Sequence, residues 1–418
     1  GESPGPCYPA ARFPGPTAGV GSDRRYTRRA MASSPPEPRN VAVVHDWLVD
    51  FSGAERVLEQ ILALFPQATL YTLIDRMPQP ERARLPSRRT VTSFLDRLPG
   101  VQRYFTRTLP LMPLAVQQFD LSAHDLVISS SHCVAKGVIT PPDALHLCYC
   151  HSPMRYAWDQ QATTLRTEGL DRGLRGAVAR LLMHRLRRWD SGSNNGVDHI
   201  AANSQFVRRR VQKAWRREAE VIHPPVRLAL PAATPVVREP GRCVTVGRLM
   251  GYKNVALMLD AFALLPQHRL HVVGGGPLAA TLQRHAPPNV RFLGALPDAD
   301  VQRELGAASA FVFAAVEDFG IAPVEALAAG TPVVAHGRGG VLDYLRHGDN
   351  AWLFDALTPH ALAEAVRSAT WPADVEARCR ASAAAFGEAR FREQFQQWVR
   401  CCGRAWQAEG SPGTAGAV

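Results

Sequence analysis

Short, predominantly apolar runs recur along this chain, separated by longer stretches with apolar residues three and four apart. Val41-Ala42-Val43-Val44 is the first run. With no polar alternation, it fits a strand covered on both faces, as in a parallel sheet. A helix pattern follows over 54–64. Thr69-Leu70-Tyr71-Thr72-Leu73, Leu126-Val127-Ile128, Leu145-His146-Leu147-Cys148-Tyr149 and His199-Ile200-Ala201 then read as further strands separated by helical stretches. That alternation predicts an open α/β sheet.

The pattern breaks at Pro224-Pro225 and in the proline-rich stretch 230–240. It then restarts with Cys243-Val244-Thr245-Val246, a helix over 254–265, His271-Val272-Val273 and Val290-Arg291-Phe292-Leu293. A helix over 298–307, the run Ala310-Phe311-Val312-Phe313-Ala314, Pro332-Val333-Val334-Ala335 and a helix over 359–370 complete the series. The expected division is a disordered extension at 1–39, a Rossmann-like α/β domain at 40–228 and a linker at 229–240. A second such domain follows at 241–388, then an amphipathic helix at 389–408, free to cross back to the first domain, and a disordered tail at 409–418. Ligands of such sheets sit beyond the carboxyl ends of the strands, so the cleft between the domains is the expected site. Met31, just ahead of the first periodic segment, is the expected native start, with 1–30 upstream of it.

Composition narrows the classes. Hydrophobic content of 46% and charged content of 20% belong to an ordinary globular chain. No apolar run approaches the roughly 20 residues that span a bilayer. No basic head with an apolar core opens the chain, so a cleaved secretion signal is not indicated and a cytoplasmic location is expected. Eight scattered cysteines lack any Cys-x-x-Cys pair, which argues for reduced thiols and against a zinc site. A net charge of +11 suggests an anionic partner, or an arginine-rich composition without further meaning.

The most informative stretch runs from Glu317 to Glu325. A strand leads into the first acid, and a helix pattern from Val324, with Pro323 in its first turn, carries the second. Two carboxylates and the free N–H groups of a helix start surround one small space. An anion can rest on the N–H groups, and the acids can accept hydrogen bonds from hydroxyls. A capped surface helix explains the same residues. Arg248 and Lys253, just past the strand 243–246, can both reach an anion beyond that strand, the arginine in a forked geometry, or can be two solvated charges. Ser52-Gly53 opens a helix after the first strand, as a phosphate turn or an ordinary N-cap. Gly274-Gly275-Gly276 lacks the dinucleotide order and reads as a tight turn. His151 ends a strand of the first domain and faces the cleft, either as a ligand contact or as a hydrogen-bonded structural residue. Between Arg88 and Leu114 basic and large apolar residues interleave, which suits a surface against anionic lipid or a core helix with a basic outer face. No nucleic-acid module is present.

Taken together, these segments resemble the family-4 retaining glycosyltransferases of the GT-B fold over nearly all of 41–400. Gly247-Arg248-Leu249 with Lys253, and Glu317-Asp318-Phe319-Gly320 with Glu325, carry the resemblance in the second domain. His45-Asp46-Trp47-Leu48, Leu109-Pro110-Leu111-Met112-Pro113-Leu114-Ala115, the stretch from Cys150 to Asp159 and Val221-Ile222-His223-Pro224-Pro225-Val226 look similar to bacterial O-antigen and exopolysaccharide mannosyltransferase-like proteins. The resemblance implies an acceptor-side first domain and a second domain that binds a nucleotide-sugar donor. It implies that Arg248 and Lys253 bind the donor diphosphate, Glu325 the ribose, and Glu317 and His151 the hexose. Phe319, Gly320 and Ile321 would touch the sugar and β-phosphate, Gly53 would approach from the first domain, and Leu293 to Leu296 would line the base pocket. Ser52 stands where the family usually has a first glycine. The implied reaction is retaining transfer of a hexose, mannose from GDP-mannose being favoured. The implied acceptor is a lipid-linked glycan at the inner face of the cytoplasmic membrane, in cell-surface polysaccharide synthesis. No metal or other cofactor is expected. A UDP-sugar donor, a sugar-nucleotide epimerase and a non-catalytic nucleotide-sugar or membrane-binding protein stay open as alternatives.

Overall fold

The computed structural model describes residues 40–228 and 237–410. The expected extension, the native start at Met31 and most of both the linker and the tail lie outside the described residues; the last helix runs to Gly410, two residues into the expected tail.

Two parallel sheets follow one another. The first has seven strands: β1 (Val41–His45), β2 (Thr69–Thr72), β3 (Arg89–Thr92), β4 (Leu126–Ser131), β5 (Leu145–Cys150), β6 (His199–Ala202) and β7 (Glu220–Val221). Their spatial order is β3-β2-β1-β4-β5-β6-β7. The second has β8 (Glu239–Val246), β9 (Arg269–Val273), β10 (Val290–Gly294), β11 (Ala308–Phe313), β12 (Val333–His336) and β13 (Ala351–Phe354), ordered β10-β9-β8-β11-β12-β13. Every pair is parallel, so each connection crosses over a face and covers it. All five residues of β1 are buried, as its uninterrupted apolar pattern predicts.

Alternate residues of each strand feed opposite faces. Val41 and Val43 pack with Leu58 and Ile61 of the helix Gly53–Leu64. Phe391, Phe395 and Trp398 of the last helix, Glu388–Gly410, join the same cluster, so that helix does cross back from the second domain to the first. These residues fall four and three apart, on one face of the helix. Phe395 is fully buried, and truncating it to alanine would cost about 3–5 kcal/mol. Ala42, Val44 and Val127 face the other way, against Met112 and Leu186.

Three strands escape the apolar-run criterion: β3, β7 and β13. β3 and β7 are short edge strands with polar or half-buried residues, and Trp352 and Leu353 of β13 are only half buried. The stretch 88–114 is therefore not one helix. It forms β3, three 3-10 segments and the short helix Met112–Val116, with prolines at 110 and 113 preventing a longer one. The helix that carries Glu325 starts at Ile321 rather than Val324, because Gly320, at φ 87°, supplies the left-handed residue before it.

Candidate active site

Strand order reverses between β1 and β4 in the first sheet and between β8 and β11 in the second. Such switch points open a crevice at the strand carboxyl ends. His45 ends β1 and Ser130-Ser131 end β4; Gly247 follows β8 and Ala314 follows β11. The candidate residues gather at these ends.

On the second domain, Lys253 Nζ donates to Glu317 Oε1, so two residues with separate implied tasks touch each other. Gly247 N–H donates to Val273 O at 3.0 Å, and Leu249 N–H to Gly275 O at 2.8 Å, fixing the loop that carries Arg248. A Cβ at Gly274 would lie 2.1 Å from Gly247 O. Gly274 and Gly276, where a Cβ would lie 2.7 Å from Leu249 backbone, are thus more than a turn: they let one loop lie flat against the other. The Glu317 loop is braced from behind in the same way. Gly340 N–H donates to Glu317 O at 2.8 Å, and a Cβ at Gly340 would sit 2.0 Å from Asp318 O. Tyr344 Oη donates to Gly320 O at 2.6 Å.

The segment 317–325 is then tied to the first domain at three points. Arg56 Nη1 meets Glu325 Oε1 at 2.5 Å. Asp318 accepts from Arg210, from Arg155 at 3.2 Å and from Ser152 Oγ at 3.3 Å. A Cβ at Gly53 would come within 3.0 Å of Ile321 Cδ1, so the Gly53 turn lies directly against the helix start. Nearby, Arg248 Nη1 meets Asp50 at 2.7 Å, with both side chains about 60% exposed (61% and 59%).

The first-domain wall is a chain of imidazoles. Ser130 Oγ lies 2.8 Å from His151 Nε2 and 3.1 Å from His45 Nδ1. His45 Nε2 lies 3.3 Å from Glu55 Oε1, and Glu55 also accepts from Ser52 N–H and Oγ. Burial acts to raise the Glu55 carboxyl, but the bonds and charge of His45 and the Ser52 hydroxyl overcome it and bring it down to about 2. His151 is held well below the ordinary histidine range by burial, with the neighbouring His132 and His45 acting the same way. A neutral His151 can donate from one nitrogen and accept at the other. Asp46, fully buried, accepts the N–H groups of His132, Cys133, Val134 and Ala135 between 2.6 and 3.0 Å. One carboxylate thereby fixes the whole turn after β4.

The structure brings Glu317, Lys253, Phe319, Gly320, Ile321, Glu325 and Gly53 into one neighbourhood, with Arg248 on Asp50 at its edge. Leu293 and Leu296 are half buried against the apolar cluster that holds Phe319 and Val324. Sequence reasoning assigned nothing to Asp50, Asp46, Arg56, Arg155, Arg210 or Asp318. Asp46, Arg155 and Asp318 sat inside quoted motifs, and an acid at the end of an apolar strand was the one signal for Asp46. Arg56 and Arg210 carry no local signal, being helix arginines whose partners lie 269 and 108 residues away.

Comparison with known proteins bears on the second domain and on the fold. Residues 230–385 match the family described as Glycosyl transferases group 1. The D-inositol 3-phosphate glycosyltransferase of Corynebacterium glutamicum (strain R) is 33% identical over 179 residues, 39% of this chain and 41% of the relative. A GDP-mannose-dependent monoacylated alpha-(1-6)-phosphatidylinositol monomannoside mannosyltransferase of C. glutamicum (strain ATCC 13032) is 30% identical over 173 residues, 34% and 45% of the two chains. The chain thus spans less than half the length of either curated relative. The crystal structure of Anabaena Alr3699/HepE in complex with UDP superposes with a TM-score of 0.62 at 17% identity, covering 87% of this chain and 100% of that one. The fold is accordingly GT-B, two Rossmann-like domains on one chain.

Proposed function

We propose that this chain, whose second domain matches the group 1 glycosyltransferases, is a retaining hexosyltransferase. In this reading it moves a hexose, mannose from GDP-mannose, onto a lipid-linked or growing polysaccharide at a membrane surface. The observation that carries the reading is the cluster at the second switch point: Lys253, Arg248, Glu317 and the helix start at Ile321, with Glu325 one turn further on. Breaking the anomeric bond builds negative charge on the departing diphosphate. Arg248, Lys253 and the free N–H groups of the helix start are aimed at that charge before it forms, as preorganised electrostatic catalysis requires. Glu317 accepts from hexose hydroxyls and Glu325 from ribose hydroxyls. His151, neutral, contacts the hexose from the first domain. Transfer with retention then follows from attack of the acceptor hydroxyl on the face the phosphate leaves, the phosphate taking its proton. The GDP-mannose-dependent relative supports the donor and a lipid-borne acceptor.

The test supplies each nucleotide sugar in turn, with and without EDTA, and measures free nucleoside diphosphate. Release of GDP from GDP-mannose that is indifferent to EDTA is expected. Turnover of UDP-sugars alone refutes the mannose assignment, and loss of activity in EDTA refutes catalysis by side-chain cations alone. Epimerised donor without acceptor points to an epimerase instead.

A further inference from the structure

We infer that the helix Gly173–Gly192, together with the turn at Leu111–Leu114, forms a face that docks on an anionic lipid bilayer. The helix is pinned at its C-terminal end. Asp190, fully buried, accepts from Trp158 Nε1 and Trp215 Nε1 at 2.7 Å each and lies 3.2 Å from the buried Lys136 ammonium. Leu186, half-buried Met183 and Trp189 pack into the sheet on the same side. With the inner face so anchored, the outer face carries Leu174, Val178 and Leu181, at 82%, 49% and 51% exposure. Their spacing of four and three aligns them in one stripe. Continued by the same spacing, that line runs through Arg185 and Arg188, both exposed. Arg175 and Arg180 flank the apolar part about 100–120° to either side at 100° per residue. The helix holds five arginines and no acid other than the buried Asp190.

The helix Met112–Val116 belongs to the same layer: Met112 and Ala115 share an apolar cluster with Leu186. It too turns leucines outward, Leu111 at 48% and Leu114 at 53%, with exposed Arg103 and Arg107 just before them. The nearest acids in sequence, Glu168 and Asp171, precede the helix, and Asp171 is paired with Arg172. The outer helix face itself offers only apolar and basic groups, which a soluble partner of mixed charge has no reason to match. An anionic bilayer does: the leucines enter the boundary between headgroups and acyl chains, while arginine stems lie along it and their heads stay at the phosphates. Among the described residues no helix is long and apolar enough to cross a membrane, so this would be contact with one leaflet. The face extends the proposed lipid-borne acceptor but rests on this surface alone, and its test does not depend on turnover.

The full chain is sedimented with vesicles of phosphatidylcholine alone and of phosphatidylcholine mixed with phosphatidylglycerol. Two surface variants are compared: Leu174→Ser with Leu181→Ser, and Arg175→Glu with Arg185→Glu and Arg188→Glu. Thermal unfolding confirms that both fold. The expected result is binding to the anionic vesicles only, weakened by high salt. The arginine variant should lose it by about a hundredfold or more, as three reversed charges near such a surface require, and the leucine variant should lose it strongly. Donor turnover with a water-soluble acceptor should be unchanged in both. Binding of either variant equal to that of the unaltered chain overturns the inference. So does a dimer that the leucine variant converts to monomer, or RNA binding that the arginine variant abolishes while vesicle binding persists.

Discussion

Arg56, in the first helix of the first domain, donates to Glu325 of the second domain at 2.5 Å. The acid proposed to hold ribose hydroxyls is therefore also a point where the two domains meet. Burial opposes the guanidinium charge, but Glu325 more than offsets it and raises the Arg56 pKa. Under the proposed function, donor binding and domain approach are coupled through this one carboxylate. Glu325→Gln should raise the donor KM about tenfold and leave kcat within a few-fold, whereas Glu317→Gln should lower kcat by about 10²–10³ with little change in KM. Steady-state kinetics on both variants checks this, and equal effects on the same constant would refute the division.

Asp50 and Arg248 form a second bridge, between two side chains that are mostly exposed. Such pairs contribute at most about 1 kcal/mol. Asp50 therefore competes only weakly with a diphosphate for Arg248. Asp50→Asn should tighten donor binding two- to fivefold, within that limit, and the gain should shrink at high salt. Calorimetric titration of the donor at two ionic strengths measures it; weaker binding in the variant would show that Asp50 assists the donor instead.

Asp318 holds Arg155, Arg210 and Ser152 of the first domain at once. Arg210 is only 10% exposed at its side chain, so removing its partner leaves a poorly solvated cation, although Asp159 at 2.6 Å compensates part of that cost. Asp318→Asn should let the domains part. The expected signs are a larger radius of gyration in solution scattering and a fall of about tenfold in kcat/KM. An unchanged radius with unchanged kinetics would remove Asp318 from any role in closure.

Much of this architecture is legible in the chain because buried parallel strands leave apolar runs: β1, β4, β11 and β12 leave uninterrupted ones, and β5 and β8 are broken only by His146 and Thr245. Edge strands β3 and β7 do not, since a strand with one free edge and a polar face resembles a loop. At the site, Glu317, Glu325, Arg248 and Lys253 were legible because strand–turn–helix punctuation surrounds them. The Lys253–Glu317 contact and the Asp318 cluster were not: the first joins loops after β8 and β11, which only the strand order makes neighbours, and the second joins two separate sheets, so sequence spacing carries no information about either. Gly274 was visible as part of a turn and Gly340 not at all, while the service of both to neighbouring loops is a property of packing alone.

Gly340 makes that service testable. Its Cβ position lies 2.0 Å from Asp318 O and 2.6 Å from Phe319 Cα, both backbone atoms that no side-chain rotation can move. Gly340→Ala must displace the loop bearing Glu317 and Asp318. A displacement near 1 Å at a reacting group costs on the order of a hundredfold in rate. Turnover should fall by about that factor while donor binding falls less. Activity within a few-fold of the unaltered chain would show that the loop's position is not critical.

The buried His146 sets a pH dependence for the fold. Its Nδ1 lies 2.7 Å from Gly196 O and its Nε2 2.9 Å from Ser129 Oγ, which suits a neutral ring that donates to the carbonyl and accepts from the hydroxyl. Burial brings its pKa down from 6.5 to about 4. The unfolded chain therefore binds a proton between pH 6.5 and 4 that the folded chain refuses, and stability falls as pH falls through that window. A separation of this size corresponds to roughly 3 kcal/mol at its acid end. Glu55 behaves differently: its contribution is complete above its unfolded value of 4.5 and is lost only as pH falls toward about 2. Between pH 6.5 and 4.5, then, the loss should trace to buried histidines, with His132 and His151 adding in the same direction. The unfolding temperature should drop steadily across that range, and His146→Gln, which cannot take up the proton, should be less stable at pH 7 yet show a shallower slope. Thermal scans of both proteins at half-unit pH steps decide the matter; parallel slopes would remove His146 as a source of the acid sensitivity.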